Sequence, residues 1–356
     1  MSITSLTTQD QLVAPAGLTP ILDGQLFEHA ERLRDKVVII TGAANGIGKE
    51  TGMRCASYGA KIVIGDLDIV GAEKTVSEII ASGGQAVAVK CDVTIWDDQV
   101  EMFELAIEKF GSVDVVVPNA GIGEPGNFLE VKLDNKTGKP QKPNLSTVQV
   151  NLVGVLYTVH LAQHYLLIDL RKVDTSTQPL KAMVLIGSMA SWEGFPAAPV
   201  YSASKHAVLG LMRAMEPSLV LKGIRIACIT PFFADTNIIP TPLKVFLAGC
   251  PLTPVPRIAG AIIYAASHPD PATSGSGYVL PDDGPVFEVP REKFTRGVYK
   301  LLDDRLKSVE GIVYAARLTK DLVKLIAKPL LVTAIGLGLA RAFWSNRDIL
   351  PSFMDI

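Results

Sequence analysis

Short apolar runs recur along most of the chain, at residues 36–41, 61–66, 86–90, 113–118, 182–188 and 224–230. Each is rich in Val, Ile or Ala, and all but 86–90 end in Asp, Ser, Thr or Pro, the pattern of a strand buried on both faces. The segments between them carry apolar residues at helical spacing, over 47–58 and about 145–170 and again from Tyr201 onward, where Glu216-Pro217 is expected to break or kink the helix. Strands that alternate with helices predict an α/β fold, a parallel sheet with helices on both faces.

The first run feeds directly into residues 41–48, Thr-Gly-Ala-Ala-Asn-Gly-Ile-Gly, where a strand turns into a helix. Gly42, Gly46 and Gly48 let the backbone turn tightly and keep side chains away from a ligand. The helix start offers unpaired N–H groups and a positive dipole end, which suits a pyrophosphate. Glycine spacing alone is weak, since such loops carry glycine for conformational reasons. The next strand, however, ends at Asp66, near the spacing at which a dinucleotide fold sets a carboxylate on the adenosine ribose. Asp92 follows the third strand and Asn119-Ala120-Gly121 the fourth. In an open parallel sheet these carboxyl ends line the ligand crevice, although ordinary turn chemistry would satisfy each residue singly.

Length and charge narrow the picture. At 356 residues the chain can bury a large core. With 34 Lys+Arg against 36 Asp+Glu, net −2, no bulk field recruits nucleic acid. Cys55, Cys91, Cys228 and Cys250 lie far apart, without metal-ligand spacing, and read as buried reduced thiols. No metal site is expected. The first residues lack a basic start followed by an apolar run, so the expectation is a cytoplasmic, reducing location.

The candidate chemistry sits late in the sheet. Ser188 closes a strand, and Tyr201 and Lys205, four apart, share one helix face. A lysine ammonium beside a phenol favours the phenolate, so the pair is expected to lower the tyrosine pKa and act as a tunable proton donor and acceptor. The bland alternative is a half-buried Tyr and a surface Lys. Asn151 falls inside the helix over 145–170, a poor position for an amide that competes for backbone hydrogen bonds.

Taken together and in order, the glycine turn, Asp66, Asp92, Asn119-Ala120-Gly121, Asn151, Ser188, Tyr201 and Lys205 resemble the short-chain dehydrogenase/reductase family over about residues 33–290. The Ser-to-Tyr spacing of 13 and Tyr-x-x-x-Lys match it. The resemblance implies a Rossmann-type doubly wound parallel sheet in one catalytic domain, residues 34–290, with an N-terminal extension over 1–33 and a C-terminal one over 291–356. It implies Tyr201 as general acid/base, Lys205 as the group that lowers its pKa and holds the nicotinamide ribose, Ser188 on the carbonyl, and Asn151 in a proton relay. Gly42, Asn45, Gly46, Ile47 and Gly48 would cradle the pyrophosphate. Asp66 would hold the adenosine ribose, Asp92 and Val93 would lie by the adenine, Asn119 would stabilise the central sheet beside Ala120 and Gly121, and Pro231 and Thr236 would lie by the nicotinamide.

The sequence departs from the family at Pro118, where a second Asn is usual, and at Phe232, where Gly usually follows Pro231. Residues 130–144 and 171–179 read as polar surface insertions. Around 231–247 the chain is most similar to the hydroxyprostaglandin-dehydrogenase-like branch. The implied reaction interconverts a secondary alcohol and its ketone. The rivals are a cofactor-binding sensor or scaffold without turnover, and an epimerase or dehydratase.

Three further expectations complete the reading. Asp66 would repel a 2′-phosphate, and neither Asn45 nor Leu67 supplies a cation, so NAD is expected over NADP. Trp192, Phe195, Phe232, Phe233, Ile238, Ile239, Val245, Phe246 and Leu247 should wall a pocket for a lipophilic alcohol or ketone. Helices near 145–168 and 201–221 match those that pair subunits in relatives, so a homo-oligomer is expected. Finally, over 320–344, Lys320, Lys324 and Lys328 line one helix face before an apolar stretch and Phe343-Trp344. That pattern suits an interfacial segment at a membrane surface, with a full span or a helix packed on the enzyme as alternatives.

Overall fold

The computed structural model describes residues 18–168, 179–236 and 247–294, with scattered helical positions between 305 and 341. The chain divides into two units, residues 1–297 and 298–356. Every element named below belongs to the first.

The expected apolar runs form strands β2 (Val37–Thr41), β3 (Lys61–Asp66), β4 (Gln85–Lys90), β5 (Val115–Val117), β6 (Ala182–Ile186) and β7 (Arg225–Pro231). They alternate with helices α1 (Gly46–Ser57), α2 (Ile69–Ala81), α3 (Trp96–Phe110), α4 (Val155–Ile168), α5 (Pro199–Val220) and α6 (Val255–Ser267). Three shorter strands escaped the sequence reading: β1 (Thr19–Ile21), β8 (Gly277–Leu280) and β9 (Val286–Val289). They are too short for alternation to show, although Pro281-Asp282-Asp283-Gly284 between β8 and β9 is a turn signal. The nine strands among the described residues run in the order β1-β9-β8-β7-β6-β5-β2-β3-β4, parallel from β8 to β4 and antiparallel at the β1-β9-β8 edge.

β2, β5 and β6 are buried throughout because helices cover both faces. One layer sets α1, α2 and α6 against the sheet through Cys55, Ile79 and Ile262, and the other sets α3, α4 and α5 there through Phe103, Val159 and Val208. The N-terminal segment joins the first layer, with Leu26, Ala30 and Leu33 buried and β1 paired to β9. From β2 the chain steps outward through β3 to β4, then returns to the other side of β2 at β5. That reversal opens a crevice at the carboxyl ends of β2 and β5, where ligands bind in such sheets.

Three expectations need correction. Pro217 does not end its helix: α5 runs on to Val220, because a proline in the last turn forfeits a single i→i−4 bond, and buried Glu216 is anchored by Arg291 at 2.5 Å. The helix expected to run evenly over 145–170 opens with a short turn, Ser146–Val148, and a π-helical stretch, Gln149–Gly154, before α4. Cys55, Cys91 and Cys228 are free and buried, but Cys250 is exposed. The loop over 130–144 is exposed as expected, its turn closed by Asp134 on the amides of Lys136 and Thr137. Ile238, Ile239, Val245, Phe246, the insert from 171 to 178 and nearly all of 320–344 lie outside the described residues. Among the described residues no helix is long and apolar enough to cross a membrane.

One buried ion pair ties the sheet together below the crevice. Lys181 Nζ lies 3.1 Å from Asp114 and donates to the Val113 carbonyl, while Asp114 accepts from the Val37 amide and the Ser112 hydroxyl. Removing one partner strands the other charge in the core, a change that costs about 3–5 kcal/mol. Lys181→Met is therefore expected to lower the unfolding free energy by about 3 kcal/mol or more in a urea titration. A loss below about 1 kcal/mol would show that the remaining bonds to Asp114 suffice.

Candidate active site

The glycine turn is shaped by the strand beside it. Gly42 (φ 68°) and Gly46 (φ 58°) adopt the left-handed backbone that favours glycine. A methyl on Gly42 would lie 2.7 Å from the Ala120 backbone, and one on Gly48 would collide with the Gly42 carbonyl and sit 2.6 Å from Asn119 Nδ2. Asn119 donates from Nδ2 to the carbonyls of Thr41 (3.0 Å) and Gly42 (2.8 Å), and the amides of Asn119 and Ala120 both donate to the Thr41 hydroxyl. Asn119 thus clamps the ends of β2 and β5.

Asn45 precedes α1 without capping it by side chain, so the first N–H groups, at Gly46, Ile47 and Gly48, have no side-chain cap at Asn45. Asp66 lies across the turn, one carboxylate oxygen accepting from the Ala44 amide (2.8 Å) and the other from Asp68 (2.9 Å). Thr236, from the loop after β7, packs against Gly46, and Pro231 ends β7. An uncapped helix start, a turn closed to side chains and a carboxylate at the next strand end fit a dinucleotide. Asp92 spends one carboxylate oxygen on the amide and hydroxyl of Thr94, and Val93 is buried with its carbonyl held by Gln99.

The other expected residues converge beside this turn. Asn151 lies buried in the π-helical stretch, whose wide turn suits functional positions. Its amide is held mainly by one residue: Oδ1 accepts from Ile122 N (2.8 Å) and Nδ2 donates to Ile122 O (2.9 Å), with a longer bond from Nδ2 to the Ser204 hydroxyl (3.5 Å). Ser188, after β6, accepts from the Ala190 amide, while the Ser191 hydroxyl holds the Ser188 amide and donates to the Lys205 carbonyl. Lys205 is buried rather than a surface lysine: Nζ donates to the Ile186 carbonyl (2.9 Å) and lies 5.7 Å from the centre of the Tyr201 ring. Gly121 runs alongside; a methyl there would sit 3.3 Å from Asn151 Oδ1 and 3.8 Å from Lys205 Nζ.

Burial sets the electrostatics, and here the structure departs from the sequence reading. It pushes the Tyr201 phenol up, against a hydrogen bond with Ser188 that draws it down. The same desolvation lowers Lys205 to about 8. The expected downward pull of Lys205 on the tyrosine does not dominate in the free protein, because both groups are out of water.

Sequence reasoning passed over Glu124 and Thr147. Glu124 Oε2 accepts from the Tyr201 amide (2.9 Å), and the Thr147 hydroxyl donates to the Gly123 carbonyl (3.0 Å). A carboxylate three residues past Asn119-Ala120-Gly121, on a loop lining the crevice, was the available signal for Glu124. Trp192, expected in the pocket wall, packs instead on Gly277, Arg213 and Phe294, its indole N–H on Thr230. Phe195, Phe232 and Phe233 remain as a half-buried aromatic cluster, and Leu247 is buried. Among the described residues no group of side chains could hold a metal ion.

The short chain dehydrogenase family matches residues 36–241, and the chain belongs to it. A short-chain dehydrogenase/reductase of Acremonium egyptiacum, ascJ, is 31% identical over 265 residues, 74% of this chain and 78% of its own. The 5′-hydroxyaverantin dehydrogenase of Dothistroma septosporum is 33% identical over 60% of this chain and 71% of its own. The crystal structure of 3-ketoacyl-(acyl-carrier-protein) reductase from Brucella melitensis complexed with NADH superposes with a TM-score of 0.60 at 29% identity, covering 71% of this chain and 98% of that one. The protein is an NAD(P)-dependent oxidoreductase of this family acting on CH–OH groups.

The buried lysine has a measurable consequence. Its folded pKa lies below the unfolded value, so the unfolded chain binds more protons between about pH 8 and the ordinary lysine value. The cost of burying the ammonium is full below pH 8 and is relieved as pH rises through that window, on the order of 3 kcal/mol in all. Relative to Lys205→Met, wild type should gain unfolding free energy from pH 8 to 10 in paired denaturant titrations. A flat difference would show that the ammonium is well solvated.

Proposed function

We propose that this enzyme uses NAD to interconvert a lipophilic secondary alcohol and its ketone, with Tyr201 as general acid/base. The observation that carries the proposal is the buried Lys205 ammonium, held between the Ile186 carbonyl and the Tyr201 ring beside Gly121. A sensor or scaffold would have no use for so costly a charge next to a buried phenol.

A bound nicotinamide would supply the hydride chemistry. Gly42, Gly46, Gly48 and the α1 N-terminus would hold the pyrophosphate, Asp66 the adenosine ribose, and Thr236 and Pro231 the nicotinamide side. Ser188 and Tyr201 bind the substrate oxygen. In oxidation the Tyr201 phenolate would take the proton of the substrate hydroxyl, and in reduction the phenol would give one to the carbonyl oxygen. Lys205 stabilises the phenolate that forms. Asn151 holds the Ile122 backbone, and so the loop against the site. Phe195, Phe232 and Phe233 give the pocket its apolar wall, which favours an uncharged ring or chain on the alcohol.

Asp66 sets the cofactor preference, since a 2′-phosphate would meet the carboxylate, while Lys49, the basic residue that directly follows the glycine turn, is paired with Glu78. Like charge against an unpaired phosphate costs a few kcal/mol, so kcat/KM with NAD should exceed that with NADP by on the order of a hundredfold. Equal rates with the two cofactors would remove this assignment. Tyr201→Phe keeps the ring and loses only the proton-carrying oxygen, so kcat on a secondary alcohol should fall by ~10²–10⁴-fold while NADH binding, read by fluorescence, persists. Near wild-type kcat in that variant would refute the mechanism.

A further inference from the structure

Single apolar side chains on a protein surface need no account, but a cluster of them on one ordered loop does. Between β5 and the π-helical stretch, residues 125–145 are all exposed except Asp134. They include Phe128, Leu129, Val131 and Leu133, which are 45%, 71%, 69% and 55% exposed. The backbone holds these side chains out from the core. The Asn127 side chain accepts from the Leu129 amide (3.1 Å) and its carbonyl from the Glu130 amide (3.2 Å), a turn with Phe128 and Leu129 at its tip. A hairpin follows, in which the Gln141 amide donates to the Lys132 carbonyl and the Asp134 amide to the Lys139 carbonyl, both at 2.8 Å. Asp134 closes it on the amides of Lys136 and Thr137 and on the Thr137 hydroxyl.

The same stretch is basic. Lys132, Lys136, Lys139 and Lys142, all exposed, stand against only Glu130 and Asp134, on a chain whose net charge is −2. That mixture decides what fits the patch. The core of a protein interface is depleted in lysine and enriched in aromatic residues and arginine, whereas residues 125–145 contain no arginine and interleave lysine with the apolar positions. A second copy of the patch would bring like charge against like. An anionic lipid surface satisfies both features, because apolar side chains enter the acyl boundary while lysine stems lie along them and the ammonium groups reach the headgroups.

We propose that the hairpin over 125–145 docks on the surface of an anionic membrane, with Phe128 and Leu129 entering the boundary between headgroups and acyl chains and the four lysines pairing with lipid anions. Both ends of the insert join residues bonded to the candidate site, Ile122 to Asn151 and Gly123 to Thr147, so docking brings the crevice side of the sheet to the lipid. The contact does not depend on the reaction proposed above. It is also separate from the C-terminal segment over 320–344, whose sequence suits the same kind of surface.

The test is flotation and titration of the full chain with vesicles of phosphatidylcholine alone and of phosphatidylcholine with about one-third phosphatidylserine. Wild type should bind the anionic vesicles about tenfold or more tightly than the neutral ones, and high salt should release it. F128S/L129S should weaken that binding by about tenfold or more, and K132Q/K136Q/K139Q/K142Q by on the order of a hundredfold. The substituted side chains are exposed and the turns are closed by backbone groups with Asn127, Asp134 and Thr137, so both variants should keep the wild-type melting curve. No binding by wild type overturns the proposal. Binding that survives either variant also overturns it and assigns the contact to another part of the chain, the C-terminal segment first. Loss of self-association in F128S/L129S by light scattering, with no vesicle binding by wild type, would make the patch a protein interface and refute the lipid contact.

Discussion

At the carboxyl ends of β2 and β5 the two strands come so close that the residue between them can carry no side chain. Gly42 sits against the Ala120 backbone, Gly48 against the Gly42 carbonyl, and the Asn119 amide fills the remaining gap with two donated hydrogen bonds. The constraint comes from topology. The chain reverses direction across the sheet at this point, which leaves a crevice whose walls are backbone rather than side chain. Everything that follows in the site depends on that approach, because it fixes the glycine turn, and hence the start of α1, relative to the strand end from which Gly121 and Glu124 descend.

The second layer of organisation is the bonding of the loop over 121–124 to three separate elements. The π-helical stretch supplies Asn151, the short turn before it supplies Thr147, and α5 supplies the Tyr201 amide. A regular α-helix over 149–154 would aim Asn151 elsewhere; the wider turn is how an amide unsuited to a helix interior satisfies both its donor and its acceptor on Ile122. The loop is thereby held by side chains rather than by a sheet ladder, a rigid wall made from residues with no regular secondary structure of their own.

Burial of Tyr201 and Lys205 has a cost in the free protein. Desolvation raises the Tyr201 phenol and lowers Lys205, so both groups are pushed towards their neutral forms, the opposite of what a phenolate stabilised by an ammonium requires. The fold carries this mismatch because the surrounding core is well packed and a buried pair like Lys181 and Asp114 is fully bonded elsewhere.

Much of the fold was legible in the sequence because its signals are local. Six apolar runs became six strands at nearly their expected bounds, and the positions of Gly42, Gly48, Asp66, Asn119, Ser188, Tyr201 and Lys205 followed from turn chemistry and spacing. The edge strands β1, β8 and β9 were not legible, since three or four residues carry no period and their pairing depends on partners far away in the chain. Nor was the course of α5 past Pro217, where a buried contact from Glu216 to Arg291 outweighs one lost hydrogen bond. Local pattern likewise placed Trp192 in the pocket, and tertiary packing turned it under Arg213 and Phe294. The sequence by itself determined which residues stand at strand ends and helix starts, because backbone conformation and periodicity are read from near neighbours. Only the tertiary structure decided which of them lie out of water and what they touch, Lys205 on a carbonyl and Glu124 on the Tyr201 amide, because burial and long-range hydrogen bonds arise from segments 19 to 77 residues apart.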